Sequence, residues 1–398
     1  MTFQEKILRV EPINLLEYKD DIPEFKRLFG CQQHIKWHGE GDVLTHTNMV
    51  MAETLKLCQS VESIDERINL YLGALLHDFG KPITTFEKTV GHLVAYDHEQ
   101  AGVSVARDFL KKYFPMYGFG RREYILSLVE FHGHPKRMAK DESDDLRFKR
   151  LSLEVNTEQI YTIEVADFTG RIGESAEKAL SYLEDFKSKC QSLDIYGKYW
   201  MIPNSERLLM PAYNLFRWNI LFNNISENSE KHMKRAEELM SKEPFCLMLM
   251  VGVPGSGKTT HIEKVYPHIE KICMDDERAK LGDVNDMSKN DYVFDLCCKN
   301  LNARMKARQN TIWDATSINR KMRKRLIDIA RRHGAMIGIV YFDITLETAL
   351  KRNQERDRKV PEDVIEKYYK RLQVPKPYEY DKLLVVDERT SYEKKEEK

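Results

Sequence analysis

No uninterrupted apolar run in this chain approaches the roughly 18 residues that a membrane span requires, so no membrane partner is expected. None of its seven cysteines forms a C-x-x-C pair: Cys31, Cys58, Cys190, Cys246, Cys273, Cys297 and Cys298 are scattered. That excludes a zinc ribbon and a thioredoxin-like redox motif, and it fits a reducing compartment. Met1–Pro12 is charged and has no apolar h-region, so no secretory signal is expected and the cytoplasm is the expected location. Net charge is also missing: Lys+Arg and Asp+Glu both number 63, so the whole chain gives no hint of a nucleic-acid partner. Internal repeats are lacking too.

What is present falls into three stretches. A length of 398 residues sets a prior of about two or three domains. Residues 1–178 form the first, and eight of the twelve histidines lie there between His34 and His134. Apolar residues recur at helical spacing in 43–58, 68–76, 98–112 and 122–131, which predicts an all-α domain. Residues 179–243 read as a helical connecting segment, with helical patterns at 181–189 and 230–240. From residue 244 the pattern changes. Phe245–Val251 is a continuous apolar run ending at glycine, and 311–313 and 336–342 read as further strands separated by basic helical segments. That alternation predicts an α/β parallel sheet, making the chain a multidomain α and α/β protein. The tail 388–398 is charged and expected to fray.

The run Gly252-Val253-Pro254-Gly255-Ser256-Gly257-Lys258-Thr259 is a complete G-x-x-x-x-G-K-[ST], preceded by a strand and followed by a helix. In that context its glycines let backbone N–H groups point at phosphate oxygens, with the helix N-terminus behind them. Gly252, Gly255, Ser256, Gly257, Lys258, Thr259 and Thr260 are the expected cradle for ATP or another nucleoside triphosphate. Lys258 would neutralise β/γ-phosphate charge and Thr259 would hold Mg²⁺. Past a further strand end, Asp275, Asp276 and Arg278 supply an acid for an attacking hydroxyl and a phosphate clamp. A solvated helix start with dipole-favouring acids is the alternative there. Between 318 and 336, seven Lys/Arg stand against the single acid Asp328. Such a basic helix suits a polyanionic strand, or is simply a solvated face.

These features together resemble the phage-type polynucleotide 5′-kinase family over roughly 244–390. Asp275 and Arg278 match its D-x-x-R, with Asp276 the base if the register is one residue off. Asp314 in Trp313-Asp314-Ala315-Thr316 matches the next element, and Arg352 and Arg356 match the lid arginines, followed by Val360-Pro361 and Val364-Ile365. The chain departs from the family at Met274 and Ser317.

The other constellation is Leu75-Leu76-His77-Asp78-Phe79-Gly80-Lys81, with Thr45-His46-Thr47 upstream and Ala166-Asp167-Phe168 downstream. Imidazoles with carboxylates suit Mn, Fe, Co, Ni or Zn better than Mg or Ca. The order resembles the HD phosphohydrolase superfamily, and more closely the HD domain of bacterial tRNA CCA-adding enzymes. The motifs are Trp37-His38-Gly39-Glu40-Gly41-Asp42, Asp97-His98-Glu99-Gln100, Phe131-His132 and Asp167-Phe168-Thr169-Gly170-Arg171. The resemblance implies that His46, His77, Asp78 and Asp167 hold a divalent transition metal (Mn, Co, Ni or Zn). It leaves His98 and His132 to complete a second metal position or to bind substrate phosphate, with Lys81, His38 and Arg171 as phosphate contacts. For the extra histidines a surface or capping role stays open, and His92 and His134 are unassigned. Related domains act on 2′,3′-cyclic phosphates and 2′-phosphates of RNA.

As a whole the chain resembles the HD-Pnk bacterial RNA end-healing enzymes. That resemblance implies RNA ends, or DNA ends, as substrates and a separate polynucleotide ligase acting afterwards. A different reading is a cyclic-nucleotide phosphohydrolase regulated by a P-loop NTPase domain.

Overall fold

Helical periodicity in the first half does build a helical unit, Met1–Trp200. In this computed structural model all residues are described except 174–175, 207, 283–287, 289, 357 and 390–398. The expected fraying of the tail therefore falls largely outside the described residues. Five helices frame the unit: Val43–Leu57, Ile64–Leu76, His98–Tyr113, Phe119–Phe131 and Thr157–Thr169. They bury Val43, Leu44, Val50, Leu72, Leu75, Phe109, Ile125 and Ala166 in one core. No helix among the described residues is long and apolar enough to cross a membrane.

The all-α expectation needs correction at one place. β1 (Thr85–Thr89) and β2 (His92–Ala95) form an antiparallel hairpin. Threonine, valine and phenylalanine resist helix through their stiff or bulky side chains, and Gly91 takes φ +73 at the turn. The pair His77-Asp78 sits at the end of a helix. The helix ends at Leu76, with His77 as its C-cap, so Asp78 lies in the turn beyond. Gly80 makes that turn possible. A Cβ there would stand 1.9 Å from the His98 carbonyl oxygen and 2.6 Å from the Gly102 nitrogen, so only glycine lets the turn lie against the start of the next helix.

The second unit, Met201–Lys398, contains a five-stranded sheet that is parallel throughout. Its strands are β3 (Cys246–Val251), β4 (Lys271–Cys273), β5 (Thr311–Asp314), β6 (Met336–Asp343) and β7 (Lys382–Asp387), in the order β4-β5-β3-β6-β7. β3 lies centrally between β5 and β6, which places its glycine loop at the carboxyl edge, where open α/β sheets bind ligands. The stretch 179–243 is divided between the units. The Ala176–Ser192 helix lies in the first, whereas Met210–Asn223 and Glu230–Met240 lie in the second.

Charge along the helix Arg320–Arg332 is largely consumed inside the fold. Arg323 is fully buried and grips Glu379 through two bonds, Nε to Oε2 at 2.7 Å and Nη2 to Oε1 at 2.9 Å. Arg331 does the same with Asp381 at 2.7 and 3.1 Å. Lys324 pairs with Asp328 and Arg325 with Asp295. Glu379→Ala would leave the Arg323 guanidinium buried without its carboxylate. We expect it to lower the unfolding free energy of this unit by about 3–5 kcal/mol, read by urea denaturation. A midpoint equal to that of the unsubstituted protein would mean the guanidinium finds water or another anion.

Candidate active sites

Three histidines at element ends are fixed in one way. His77 Nδ1–H donates to the Ala74 carbonyl at 2.7 Å, His132 Nδ1–H to Val129 at 2.8 Å, and His98 Nδ1–H to Ala95 at 2.9 Å. The acceptors for His77 and His132 are carbonyls of last helical turns, which have no partner further along the helix. With the proton on Nδ1, each imidazole turns the lone pair of Nε2 inward. These lone pairs meet other acceptors. His98 Nε2 faces His132 Nε2 at 3.2 Å and Asp78 Oδ1 at 3.4 Å, and His77 Nε2 faces Asp78 Oδ2 at 3.1 Å. His46 Nε2 stands 2.9 Å from Asp167 Oδ1 and 3.7 Å from Asp78 Oδ2.

Buried acceptors crowded against acceptors fit a cation. His77 Nε2 is buried with no hydrogen-bond partner. The ligand atoms of His46, His77 and Asp167 lie within 4.8 Å of one another, as do those of Asp78, His98 and His132. Six expected ligands are thus brought together as two adjoining triads with Asp78 between them. Burial pushes His132 down to about 3 and His38 down to about 4, so both are neutral near pH 7. Burial would also lower His77, but Asp78 and Asp167 outweigh it and hold the imidazole up, so a proton and a metal compete for this position. Burial would raise Asp167, yet Arg171 and His46 hold its carboxyl well below the carboxylate range.

The expected phosphate contacts are engaged with the ligand carboxylates. Lys81 Nζ is 2.7 Å from Asp78 Oδ2 and 2.6 Å from Gln33 Oε1, and Arg171 pairs with Asp167. His38 Nδ1 lies 2.9 Å from Glu40 Oε1. Two acids carried no assigned role in the sequence. Glu40 Oε1 also sits 2.8 Å from His46 Nδ1, so it orients that ring as the backbone carbonyls orient the others. Glu99 takes Arg137 at 3.0 Å and lies 3.5 Å from His98 Nδ1. For Glu40 the available signal was its place two residues after His38; for Glu99 it was adjacency to His98.

In the second unit, the loop after β3 turns into the Lys258–Val265 helix, with Gly257 at its N-cap. Gly255 takes φ +78, and a Cβ there would lie 2.4 Å from the Ala349 carbonyl oxygen. Gly252 is packed against Ser256, whose own side chain is buried. Lys258 Nζ donates to the carbonyls of Gly252 (3.0 Å) and Val253 (2.8 Å). Thr259 and Thr260 are exposed on the first turn.

Asp275 follows β4, and Arg278 pairs with it while donating from Nε to Asn290. Asp276 is exposed beside it. Asp314 ends β5, where β4 brings Lys271 Nζ to 3.6 Å. Arg352 Nη1 donates to the Ser256 carbonyl at 3.3 Å, whereas Arg356 is exposed. Arg358 lies 3.4 Å from Asp275 Oδ2. Neither Lys271 nor Arg358 was singled out in the sequence; only the lid's run of basic residues marked the second. Asn353 clasps the lid by exchanging two hydrogen bonds with Val360.

The two centres define a class: a helical HD domain joined to a parallel-sheet, P-loop kinase-like domain. Residues 43–169 match the HD domain family and residues 247–375 match an AAA domain family. A protein of Autographa californica nuclear polyhedrosis virus, named as a bifunctional polynucleotide kinase/RNA ligase, is 24% identical over 209 residues, which are 48% of this chain and 29% of that protein. The multifunctional CCA protein of Actinobacillus pleuropneumoniae serotype 5b (strain L20) is 31% identical over 119 residues, 30% of this chain and 27% of the relative. A chain of a solved RNA repair complex shares 25% identity, with a TM-score of 0.31, over 33% of this chain and 45% of that one. The chain thus spans less than a third of the length of those two curated relatives.

Burial pushes Lys258 down to about 8, against the pull of Asp314 and Asp275. Its charge is full below that pH and lost above it, and phosphate binding needs the charged form. Nucleotide affinity, measured by titration calorimetry, should therefore hold up to about pH 8 and weaken as pH rises further. A flat profile from pH 7 to 10 would remove Lys258 from the phosphate contacts.

Proposed function

We propose that this chain heals RNA ends, phosphorylating a 5′-hydroxyl in its second unit and clearing 2′,3′-cyclic phosphate and 2′-phosphate in its first. The observation that carries the reading is the presence, in one chain, of an acid-plus-arginine pair beside a P-loop and of a buried His-Asp cluster. RNA cleaved by transesterification has both a 5′-hydroxyl and a 2′,3′-cyclic phosphate, and each centre suits one of them.

In the kinase unit the γ-phosphoryl of ATP or another nucleoside triphosphate passes to the 5′ oxygen and the diphosphate leaves. Asp275 accepts the hydroxyl proton, and Arg278 holds that carboxylate in place. The backbone N–H groups of the glycine loop and Lys258 hold the phosphates, with Arg352 and Arg356 closing over the transferred group. Thr259 and Asp314 would hold Mg²⁺, which neutralises phosphate charge when bound. In the HD unit His46, His77, Asp78, His98, His132 and Asp167 would hold divalent transition metal, which when bound polarises a phosphate and its attacking water. Lys81, Arg171 and His38 rim this cluster and orient the phosphate. Water opens the cyclic ester to a 2′-phosphate, and a second hydrolysis releases inorganic phosphate. A separate ligase would then join the healed ends.

Asp275→Asn should slow label transfer from γ-labelled ATP to a 5′-hydroxyl oligonucleotide by on the order of 10²-fold or more. If Asp276→Asn is the damaging change and Asp275→Asn is mild, the register shifts by one residue and Arg278 loses its role.

Asp78→Ala removes one member of the Asp78, His98 and His132 triad and the carboxylate that faces His77 of the other. Metal content measured by elemental analysis should fall, and 2′,3′-cyclic phosphodiesterase and 2′-phosphatase activities should disappear together while label transfer survives. Chelation should be reversed by Mn, Co or Ni better than by Mg. Full hydrolase activity in this variant, or rescue by Mg alone, would sink the transition-metal reading.

A further inference from the structure

We propose that a cleft between the Met210–Asn223 helix and the start of the Arg320–Arg332 helix binds the body of the single-stranded polynucleotide whose 5′ end enters the kinase site. This rests on the kinase reading above and extends it to a region that reading leaves without a role.

The cleft has a volume of about 360 Å³ and lies wholly within the second unit. Trp218, Phe222 and Tyr378 make its aromatic side, and Arg320, Lys321 and Lys324 its cationic side. The rings adjoin in one wall, each tilted against the next: Trp218 to Phe222 is 4.3 Å between centroids at 46°, and Phe222 to Tyr378 is 5.7 Å at 54°. Trp218 and Tyr378 are buried, while Phe222 keeps part of its surface in solvent. The indole N–H of Trp218 donates to Asp328 at 2.8 Å, so its polar edge is satisfied within the fold. Lys324 Nζ stands 5.3 Å from the Phe222 centroid.

Charge on the rim is positive. Glu379 lines the cleft and Asp328 bonds the indole of its Trp218, and both acids are taken up. Glu379 is held by Arg323 from beneath, and Arg320 lies 3.8 Å away, so two cations share one carboxylate. Asp328 is matched by Lys324. Lys321 adds a further charge on the exposed side. A row of cations beside aromatic rings is the chemistry of single-strand binding, in which bases stack and phosphates follow the charge. An acidic peptide would use the cations but not the ring wall, and a free nucleotide has the P-loop.

Position connects the cleft to the reaction. Gly252 N–H donates to the Thr316 carbonyl at 3.0 Å, and Asn319, three residues on, lines the cleft. Three extended residues reach at most about 11 Å, so the cleft begins within that distance of the residue bonded to the glycine loop. On the other side, Gln373, which also lines the cleft, donates its N–H to the Ile318 carbonyl. That bond ties the chain leaving the lid helix Glu362–Arg371 to the same rim.

The test compares a dinucleotide and a 12-mer, both with 5′-hydroxyl ends, as acceptors for the full chain. The variants are Lys321→Glu, at an exposed position, and Phe222→Ala. In the unsubstituted protein the 12-mer should have the lower KM. Each variant should raise KM for the 12-mer about tenfold, within the range of ~1–3 kcal/mol per stacked base, and leave its kcat and the dinucleotide KM alone. Binding of a fluorescent 12-mer is followed in parallel. Lys321→Glu should weaken it and flatten its salt dependence. Equal KM for both lengths, or unchanged 12-mer binding in both variants, overturns the proposal. So does displacement of a bound fluorescent probe by polyglutamate but not by the 12-mer, which would mark a protein ligand. If no oligonucleotide is phosphorylated the kinase reading fails, and the binding arm still decides whether this cleft holds a strand.

Discussion

Main-chain groups left unpaired where a helix or strand ends organise both chemical centres of this chain. In the HD unit the carbonyls of Ala74 and Val129 belong to last helical turns and accept the Nδ1–H of His77 and His132. A bond that looks like capping therefore decides which imidazole nitrogen faces inward. His98 repeats the device from the end of β2. In the kinase unit the opposite pole is used: the Lys258–Val265 helix begins with N–H groups that have no helical partner and face the place of a phosphate. Hydrogen bonds that stabilise the fold modestly thus set the chemistry of both sites.

Paired charge explains how a chain of zero net charge can still favour polyanions locally. The basic helix spends Arg323 and Arg331 on buried carboxylates, where a guanidinium fork matches two oxygens and lysine could not. Their role is architectural: they fasten the chain leaving the lid and the start of β7 to the sheet's flank. At the helix start Arg320 shares Glu379 with Arg323 and Lys321 is exposed, so the local balance is positive by a small margin. Such a surplus acts over about 10 Å at ordinary salt, which is the range the proposed strand contact requires.

Much of this architecture was legible because local patterns and tertiary demands agree. β3 reads as a buried strand since it is covered on both faces, and the glycine loop follows from its spacing alone. The hairpin β1–β2 was not legible: its strands are mostly exposed, so no burial pattern marks them, and it interrupts a series of clear helices. β7 was not legible either, since its Leu-Leu-Val-Val run is short and lies near a charged tail. Among site residues, His, Asp and the P-loop carry their chemistry in their identity. Glu40 and Lys271 act through geometry instead, since only folding brings Glu40 to His46 and β4 pairing brings Lys271 to Asp314. The division of residues 179–243 at position 200 was likewise invisible, as both sides are helical and similar in composition.

Openness on the acceptor side is the remaining constraint. A site built for a small acceptor encloses most of its ligand's surface, about 70–90% of it. Here the side chain of Asp275 is 53% exposed, with Arg278 and Arg358 against it. Among the described residues, the ion-pair partners of this carboxylate are two guanidinium groups, which suit a phosphate. On the kinase reading proposed above, selectivity comes from contacts made further along the acceptor. That favours an acceptor long enough to leave the carboxyl edge of the sheet and reach the flank of the Arg320–Arg332 helix, which a polymer end does and a metabolite does not.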